Sequence, residues 1–228
     1  MDKLLQFNNK LIKSGNKIVR KAIDPYNPLN LPPNTVRVRT NDGNAPTKTK
    51  YTRYDTATLV PGTTDLYDVY KSGTDFYAFL WQSSNVVEVL GANTTGITYM
   101  DSMFMQTSVI NVSLFDTSTV TNMNQMFSMC SYLTSVPLFD TSKVTTMKNM
   151  FSQSNSLTSV PLFDTSKVNN VNFMFAFCTK VQSGALALYQ QMSTQTNPPS
   201  NHEGTFIDCG SNTQTGAAEL AQIPSDWK

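Results

Sequence analysis

Apolar side chains recur with a fixed step through the middle of the chain. The stretch VPLFDTSKVTTMKNMF, residues 136–151, is followed 24 residues later by VPLFDTSKVNNVNFMF, residues 160–175. One such unit cannot bury its own apolar face, so a repeat of this length indicates units that stack and align equivalent side chains in columns. The columns are Phe115, Phe139 and Phe163; Val120, Val144 and Val168; Met123, Met147 and Val171; Met126, Met150 and Met174; Phe127, Phe151 and Phe175; and Leu133, Leu157 and Val181.

Each unit divides into two predicted elements. Residues 133–140, LTSVPLFD, fit the strand pattern LxxLxL of leucine-rich repeats. Residues 144–151, VTTMKNMF, place four apolar side chains on one face of a short helix. With an incomplete earlier unit near residues 97–104, the pattern predicts an α+β fold: a short leucine-rich-repeat-like solenoid of about four coils of 24 residues, preceded by a small β-rich N-terminal module. Strict recurrence favours burial of Phe139 and Phe163 over an exposed aromatic ladder.

The flanking segments complete a prediction of four regions. These are a basic N-terminal anchor with a proline-rich neck (1–33), the β-rich module with the N-terminal cap of the solenoid (34–90), the solenoid (91–182) and a C-terminal cap (183–228). Solenoids need caps because their end coils expose apolar surface. The anchor's two similar pieces, NNKLI and GNKIV, are separated by turn residues and predict short strands.

Alternating residues in the second region predict a small sheet. Val36 and Val38 face one way and Arg37 and Arg39 the other, and the Asn-Asp-Gly at 41–43 predicts a hairpin turn. Further strands are predicted at 58–60 and 66–70, and a capping helix at 75–82. The C-terminal cap is predicted as a helix at 184–192, a strand at 205–209 and a helix near 217–222.

Charge is distributed unevenly along the chain. Residues 1–53 hold eleven Lys and Arg against three acidic residues, a net +8, whereas residues 54–228 hold six against thirteen, a net −7. A basic N-terminal segment joined to an acidic remainder of the chain indicates two surfaces that bind two different partners. The Lys and Arg residues of this segment are scattered and do not belong to a recognised nucleic-acid-binding motif. We therefore expect no nucleic-acid partner and predict that the segment is an anchor that docks on another subunit. The candidate anchor residues are Lys10, Lys13, Lys17, Arg20 and Lys21.

Candidate catalytic and metal-binding chemistry is sparse. The repeated Asp-Thr-Ser is typical of Asx-type turns and lacks the ligand spacing of a calcium loop. Cys130 and Cys178 lie two coils apart, beyond disulfide reach, so they and Cys209 are predicted to be buried thiols. His202 stands in a polar loop. The sequence contains neither a nucleophile motif such as GxSxG nor a glycine-rich phosphate-binding loop. We therefore predict no enzyme activity, no cofactor and no metal.

The unit MFSMCSYLTSVPLFDTSKVTTM resembles a BspA-type leucine-rich repeat. Met126-Phe127, Cys130 and the Leu-Thr-Ser-Val at 133–136 match its signature, while Ser154 and Val171 depart from it. The flanks at 24–47, 86–98 and within 183–227 look like parts of gut bacteriophage virion proteins. That resemblance implies a structural, tail-associated or fibre-like protein.

Taken with the resemblance, the sequence suggests a bacteriophage virion structural protein, a fibre, spike or decoration subunit. We expect a homo-oligomer made in the host cytoplasm without a signal peptide or membrane insertion, with the N-terminus docked on other virion proteins. The solenoid would present a surface to a neighbouring subunit or to a host protein or glycan. The candidate surface residues are Ser135, Pro137, Lys143, Ser159, Pro161 and Lys167.

Two alternatives remain open at this point. A bacterial cell-surface adhesin of the BspA type would require a signal peptide, lipobox or wall anchor, and the sequence shows none. A glycan-degrading spike would require paired carboxylates in one cleft. Asp116, Asp140 and Asp164 stand on one column, but their predicted turn role accounts for them.

Overall fold

The computed structural model describes residues 12–14, 17–19 and 29–228. Strands β1 (Ile12–Ser14) and β2 (Lys17–Val19) pair antiparallel, in agreement with the short strands predicted for this segment. Lys13 and Lys17 of the predicted anchor lie on these strands. The other three anchor residues, Lys10, Arg20 and Lys21, lie outside the described residues.

A five-stranded mixed sheet precedes the repeats. Its strands are β3 (Thr35–Thr40), β4 (Thr56–Leu59), β5 (Leu66–Tyr70), β6 (Val86–Asn93) and β7 (Asn111–Val112), in the order β4-β5-β3-β6-β7. All neighbours are antiparallel except β6 and β7, which are parallel.

The central strand β3 shows the predicted alternation of faces. Val36 and Val38 are buried, while Arg37 forms a salt bridge with Asp68 on β5 at 2.6 Å. The predicted hairpin at 41–43 is wrong, because β3 pairs with β5 and β6 and not with the next strand along the chain. Asp42 instead accepts hydrogen bonds from the Asn44 amide and the Asn85 side chain, which fix a long loop.

The predicted leucine-rich-repeat solenoid is wrong. The described residues form a mixed five-stranded sheet with two short α-helices, and the repeats contain neither the strand predicted at 133–140 nor the helix predicted at 144–151. The segments predicted as a capping helix at 75–82 and as a strand at 205–209 are also turns. The two predicted C-terminal helices are present: α1 is Ala185–Ser193 and α2 is Gln214–Gln222, followed by a 3-10 helix at Ser225–Trp227.

Left-handed backbone explains why residues 144–151 are not a helix. Asn149 and Gln153 have φ of 55° and 62°, and equivalent pairs four residues apart occur in the neighbouring repeats. The backbone therefore turns at every fourth residue, and every second amide donates its hydrogen bond to a carbonyl of the next repeat. The Phe151 amide donates to the Met174 carbonyl at 2.8 Å in the next repeat, while the Ser152 amide donates back to Asn149 at 3.1 Å. We call these segments, residues 76–82, 100–106, 123–129, 147–153 and 171–177, the turn rows.

Phenylalanine side chains fill the core beneath the turn rows. Phe127, Phe151 and Phe175 stack with ring centroids 5.6 Å and 5.1 Å apart, and all three are fully buried. Phe139 and Phe163 are buried as well, which confirms the expectation drawn from their recurrence. The Met and Val columns of the repeat are also buried, so the repeat places one continuous apolar core beside the sheet.

The three cysteines are free and buried, as predicted. The Cys130 thiol donates to the Phe104 carbonyl at 3.0 Å, and the Cys178 thiol donates to the Phe151 carbonyl at the same distance. Ser154, which replaces cysteine in the unit between them, donates to the Phe127 carbonyl at 2.7 Å. Burial raises the pKa of Cys130 and of Cys178 to about 12, so neither thiol is reactive at neutral pH.

Ser154 therefore permits a direct test of the side-chain donor in this column. Ser154→Ala removes the donor within the core and is expected to lower the free energy of unfolding by about 1–3 kcal/mol. Ser154→Cys restores the chemistry of the flanking repeats and is expected to lose less than half as much. Urea unfolding followed by circular dichroism measures both. An alanine variant as stable as the cysteine variant would contradict a role for the hydrogen bond.

Candidate functional site

One side of the repeats carries an exposed row of apolar side chains. Leu114, Leu138 and Leu162 are 38%, 61% and 52% exposed, and Ile110, four residues before Leu114, is 41% exposed. The three leucines stand one repeat apart, at steps of 24 residues, whereas Ile110 aligns with Thr134 of the next repeat. We call these four residues the leucine row. Soluble proteins rarely repeat exposed apolar residues side by side unless the surface contacts another molecule.

Local backbone geometry explains the exposure. In each Leu-Phe-Asp triplet the Phe side chain is buried, so the preceding Leu side chain points outward from the extended segment. Backbone hydrogen bonds join these segments: the Thr134 amide donates to Ile110 at 3.4 Å, and the Thr158 amide donates to Thr134 at 3.1 Å. The leucine row therefore stands on a backbone that is held in register from one repeat to the next.

The candidate surface residues named from the sequence flank this row. Ser135, Ser159, Lys143 and Lys167 are exposed, and Pro137 and Pro161 are partly buried. The two prolines precede Leu138 and Leu162 directly, so they extend the apolar strip. Sequence reasoning missed the leucines themselves, because the LxxLxL pattern assigned Leu138 to the core. The signal that could have found them is the alternation of Leu, Phe and Asp in each triplet.

The Asp-Thr-Ser segments are turns, as the sequence predicted. The Ser142 amide donates to the Asp140 carboxylate at 3.0 Å, and the Ser166 amide donates to Asp164 at 2.9 Å. Hydrogen bonds from these serines hold the pKa of each carboxyl below its ordinary value. Thr141 is buried and donates to the Asp164 carbonyl at 2.8 Å, which ties each turn to the next repeat.

Side chains with acid–base or metal-binding chemistry do not converge on the leucine row. His202 stacks on Trp227 with centroids 4.2 Å apart, and its Nδ1 lies 3.3 Å from the Asp226 carbonyl oxygen. Among residues 12–14, 17–19 and 29–228, no group of three His, Cys, Asp or Glu side chains could hold a metal ion. The same part of the chain contains no helix with the length and apolar character needed to cross a membrane.

Comparison with known proteins places the repeats in a family. The family model described as Mycoplasma protein of unknown function, DUF285, matches residues 64–189, more than half of the chain. The chain belongs to this family. The match spans strands β5 to β7, the five turn rows and the leucine row, and it is consistent with a BspA-type repeat protein. No curated protein and no solved structure matched the chain, and the comparisons lend no support to the resemblance to bacteriophage virion proteins.

Proposed function

We propose that this DUF285 protein is a non-enzymatic structural protein that binds a second copy of itself through the leucine row. The observation that carries this proposal is the repetition of an exposed leucine in three consecutive repeats. A leucine gains about 1.5–3 kcal/mol when it moves from water into an apolar contact, so a row of them favours association. Within the repeats the other recurring apolar columns point into the core.

The spacing of the leucine row favours an identical partner. Adjacent extended segments stand about 4.8 Å apart, so the leucines of two copies have the same spacing and can interdigitate. A two-fold arrangement would bring the same face of each copy together, which is the commonest symmetry of soluble oligomers. The partly buried prolines beside the row would add flat apolar surface to this contact.

We further propose that the protein is a bacteriophage virion component made in the host cytoplasm, with its basic N-terminus docked on other virion proteins. This proposal rests on the resemblance of the flanking segments and on the uneven charge of +8 and −7. A bacterial surface protein is the second candidate, because the family description refers to a mycoplasma, which is a cellular organism. Immunogold labelling with an antibody against this chain separates the two: label on particles supports the first, and label on cell envelopes supports the second.

The double variant Leu138→Ser and Leu162→Ser tests the leucine row. Loss of two apolar contacts is expected to weaken self-association about 30-fold or more, measured by light scattering across a concentration series. Lys148→Ser and Lys180→Ser provide the control, because they remove two exposed side chains that belong neither to the leucine row nor to the candidate surface residues beside it, and they should change association little. A full-length chain that stays monomeric at every concentration, or a leucine variant that associates normally, would contradict the proposal.

The predicted anchor is tested separately by deletion of residues 1–33. If this segment drives assembly, the shortened chain is expected to fall from an oligomer to a folded monomer. If the leucine row drives assembly, the shortened chain stays oligomeric and the leucine variants still dissociate it. Light scattering and circular dichroism on the same samples separate dissociation from unfolding.

A further inference from the structure

Two exposed tyrosines and two partly buried aspartates form a compact group at the first two turn rows. Asp75 and Tyr99 are paired by a parallel bridge, and the Ala78 amide, next to Tyr77, donates to the Asp101 carbonyl at 2.9 Å. Tyr77 and Tyr99 have ring centroids 6.5 Å apart and planes inclined at 59°. We call these four residues the acidic tyrosine pair. Tyr77 and Asp101 lie on the turn rows, and Asp75 and Tyr99 directly precede them, in different segments from the leucine row.

The two carboxylates differ in their charged neighbours. Asp75 forms a salt bridge with Lys71 at 3.0 Å. Asp101 accepts hydrogen bonds from neutral groups, the Ser102 hydroxyl at 2.6 Å and the Tyr99 hydroxyl at 3.3 Å. No salt bridge within the described part of the chain includes Asp101. The group therefore carries a carboxylate charge that no cation offsets by contact.

The aromatic rings remain open to a ligand. Tyr77 is 42% and Tyr99 is 36% exposed, although Tyr99 is desolvated enough that burial raises the pKa of its hydroxyl. The charges of Asp101 and Asp75 also raise that pKa, which agrees with both carboxylates being close to the ring. Two inclined aromatic rings 6.5 Å apart, one of them hydrogen-bonded to a carboxylate, bring ring quadrupoles and a negative charge close together.

We propose that the acidic tyrosine pair binds an alkylammonium or guanidinium cation, as carried by a lysine or arginine side chain of a protein segment. The ring faces attract the cation, and Asp101 supplies the opposite charge. The tyrosine rings also pack against the methylene stem of such a side chain, which a small inorganic cation lacks. This site is independent of self-association through the leucine row.

The test is an NMR titration of the full chain with ring-labelled tyrosine. The probe is N-acetyl-lysine N-methylamide, and its neutral counterpart is N-acetyl-norleucine N-methylamide. The Tyr77 and Tyr99 signals are expected to shift with the lysine probe and not with the neutral one. Tyr132, which is 60% exposed and follows the turn row at 123–129, serves as the internal control, and its signal should not shift.

Asp101→Asn keeps the shape of the side chain and removes its charge. This variant is expected to weaken binding of the lysine probe about fivefold, and added salt should weaken binding to the unchanged chain. Equal shifts with the neutral probe, absence of any shift, or unchanged affinity in the aspartate variant would overturn the proposal. Binding of a neutral oligosaccharide such as cellobiose without binding of the lysine probe would overturn it in favour of a glycan site.

The source of the cation is distinguished by a second variant. Replacing Lys10, Lys13, Lys17, Arg20 and Lys21 with glutamine removes the basic side chains of the N-terminal segment. If that segment occupies the site, the Tyr99 signal shifts without any probe and the probe then binds more tightly. If the Tyr99 signal and the affinity for the probe are the same as in the unchanged chain, and the probe binds, the result supports the proposal with the cation supplied by another molecule.

Discussion

Replacing Phe175 with alanine is expected to lower the free energy of unfolding by about 3–5 kcal/mol. Phe175 is fully buried and stacks between Phe151, at 5.1 Å, and Phe206, at 6.1 Å. Its removal interrupts a column of rings that continues through the turn rows, and rigid backbone hydrogen bonds on both sides prevent the neighbours from filling the space. Urea unfolding followed by circular dichroism measures the change.

Phe177 provides the matched control for this variant. It lies two residues later in the same turn row but is 41% exposed, and its backbone hydrogen bond to Ile207 does not depend on the side chain. Phe177→Ala is therefore expected to cost less than about 1 kcal/mol. Equal losses from the two variants would show that the turn rows do not distinguish an inner from an outer face as described.

The apolar columns could be predicted from the sequence, but the backbone that carries them could not. Val144, Met147, Met150 and Phe151 are all buried, so their spacing identified the inward side chains correctly. The same spacing also fits a helix, and the chain instead adopts left-handed turns. Asn149 tolerates a left-handed backbone, whereas Met129 and Phe177 have no such local preference. Their conformation is fixed by hydrogen bonds to the next repeat, which a local pattern does not contain.

The sheet was predictable where its strands alternate clearly. The predicted strand at 66–70 coincides with β5, because Tyr67 and Val69 are buried while their neighbours are less so. Strand β6 was not predicted, since Val86 and Val87 interrupt the alternation and the strand has irregular register against β3. The hairpin turn failed because β5, which is distant in sequence, occupies the position beside β3.

The leucine row shows the same limit at the level of the candidate site. The sequence located the repeats and the residues Ser135 and Pro137 beside the row, but its LxxLxL pattern assigned Leu138 to the core, whereas Leu138 is exposed. The exposure of Leu138 follows from the burial of the next residue, Phe139, because neighbouring side chains in an extended segment point to opposite sides. Residues that approach each other across repeats, such as Tyr77 and Tyr99, can be recognised as a group only once the positions of the turn rows are known.

Gly216→Ala is expected to destabilise the protein by about 1–3 kcal/mol, although alanine is the better helix former. Gly216 is buried in α2, where an added Cβ would lie 2.2 Å from the Val181 carbonyl oxygen and 2.7 Å from the Gly210 Cα. Both are backbone atoms, so relief requires α2 to move away from the last repeat.

The control in the same helix should give the opposite preference. Ala218 is exposed, so Ala218→Gly only loses helix propensity and is expected to cost about 0.5–1 kcal/mol. Alanine would then be the worse residue at position 216 and the better one at position 218, measured by thermal and urea unfolding of both variants. A Gly216→Ala protein more stable than the unchanged chain would mean that α2 does not pack this closely on the Val181 carbonyl. Such a result would contradict the predicted role of α2 in the C-terminal cap, because that role requires close backbone contact between α2 and the last repeat.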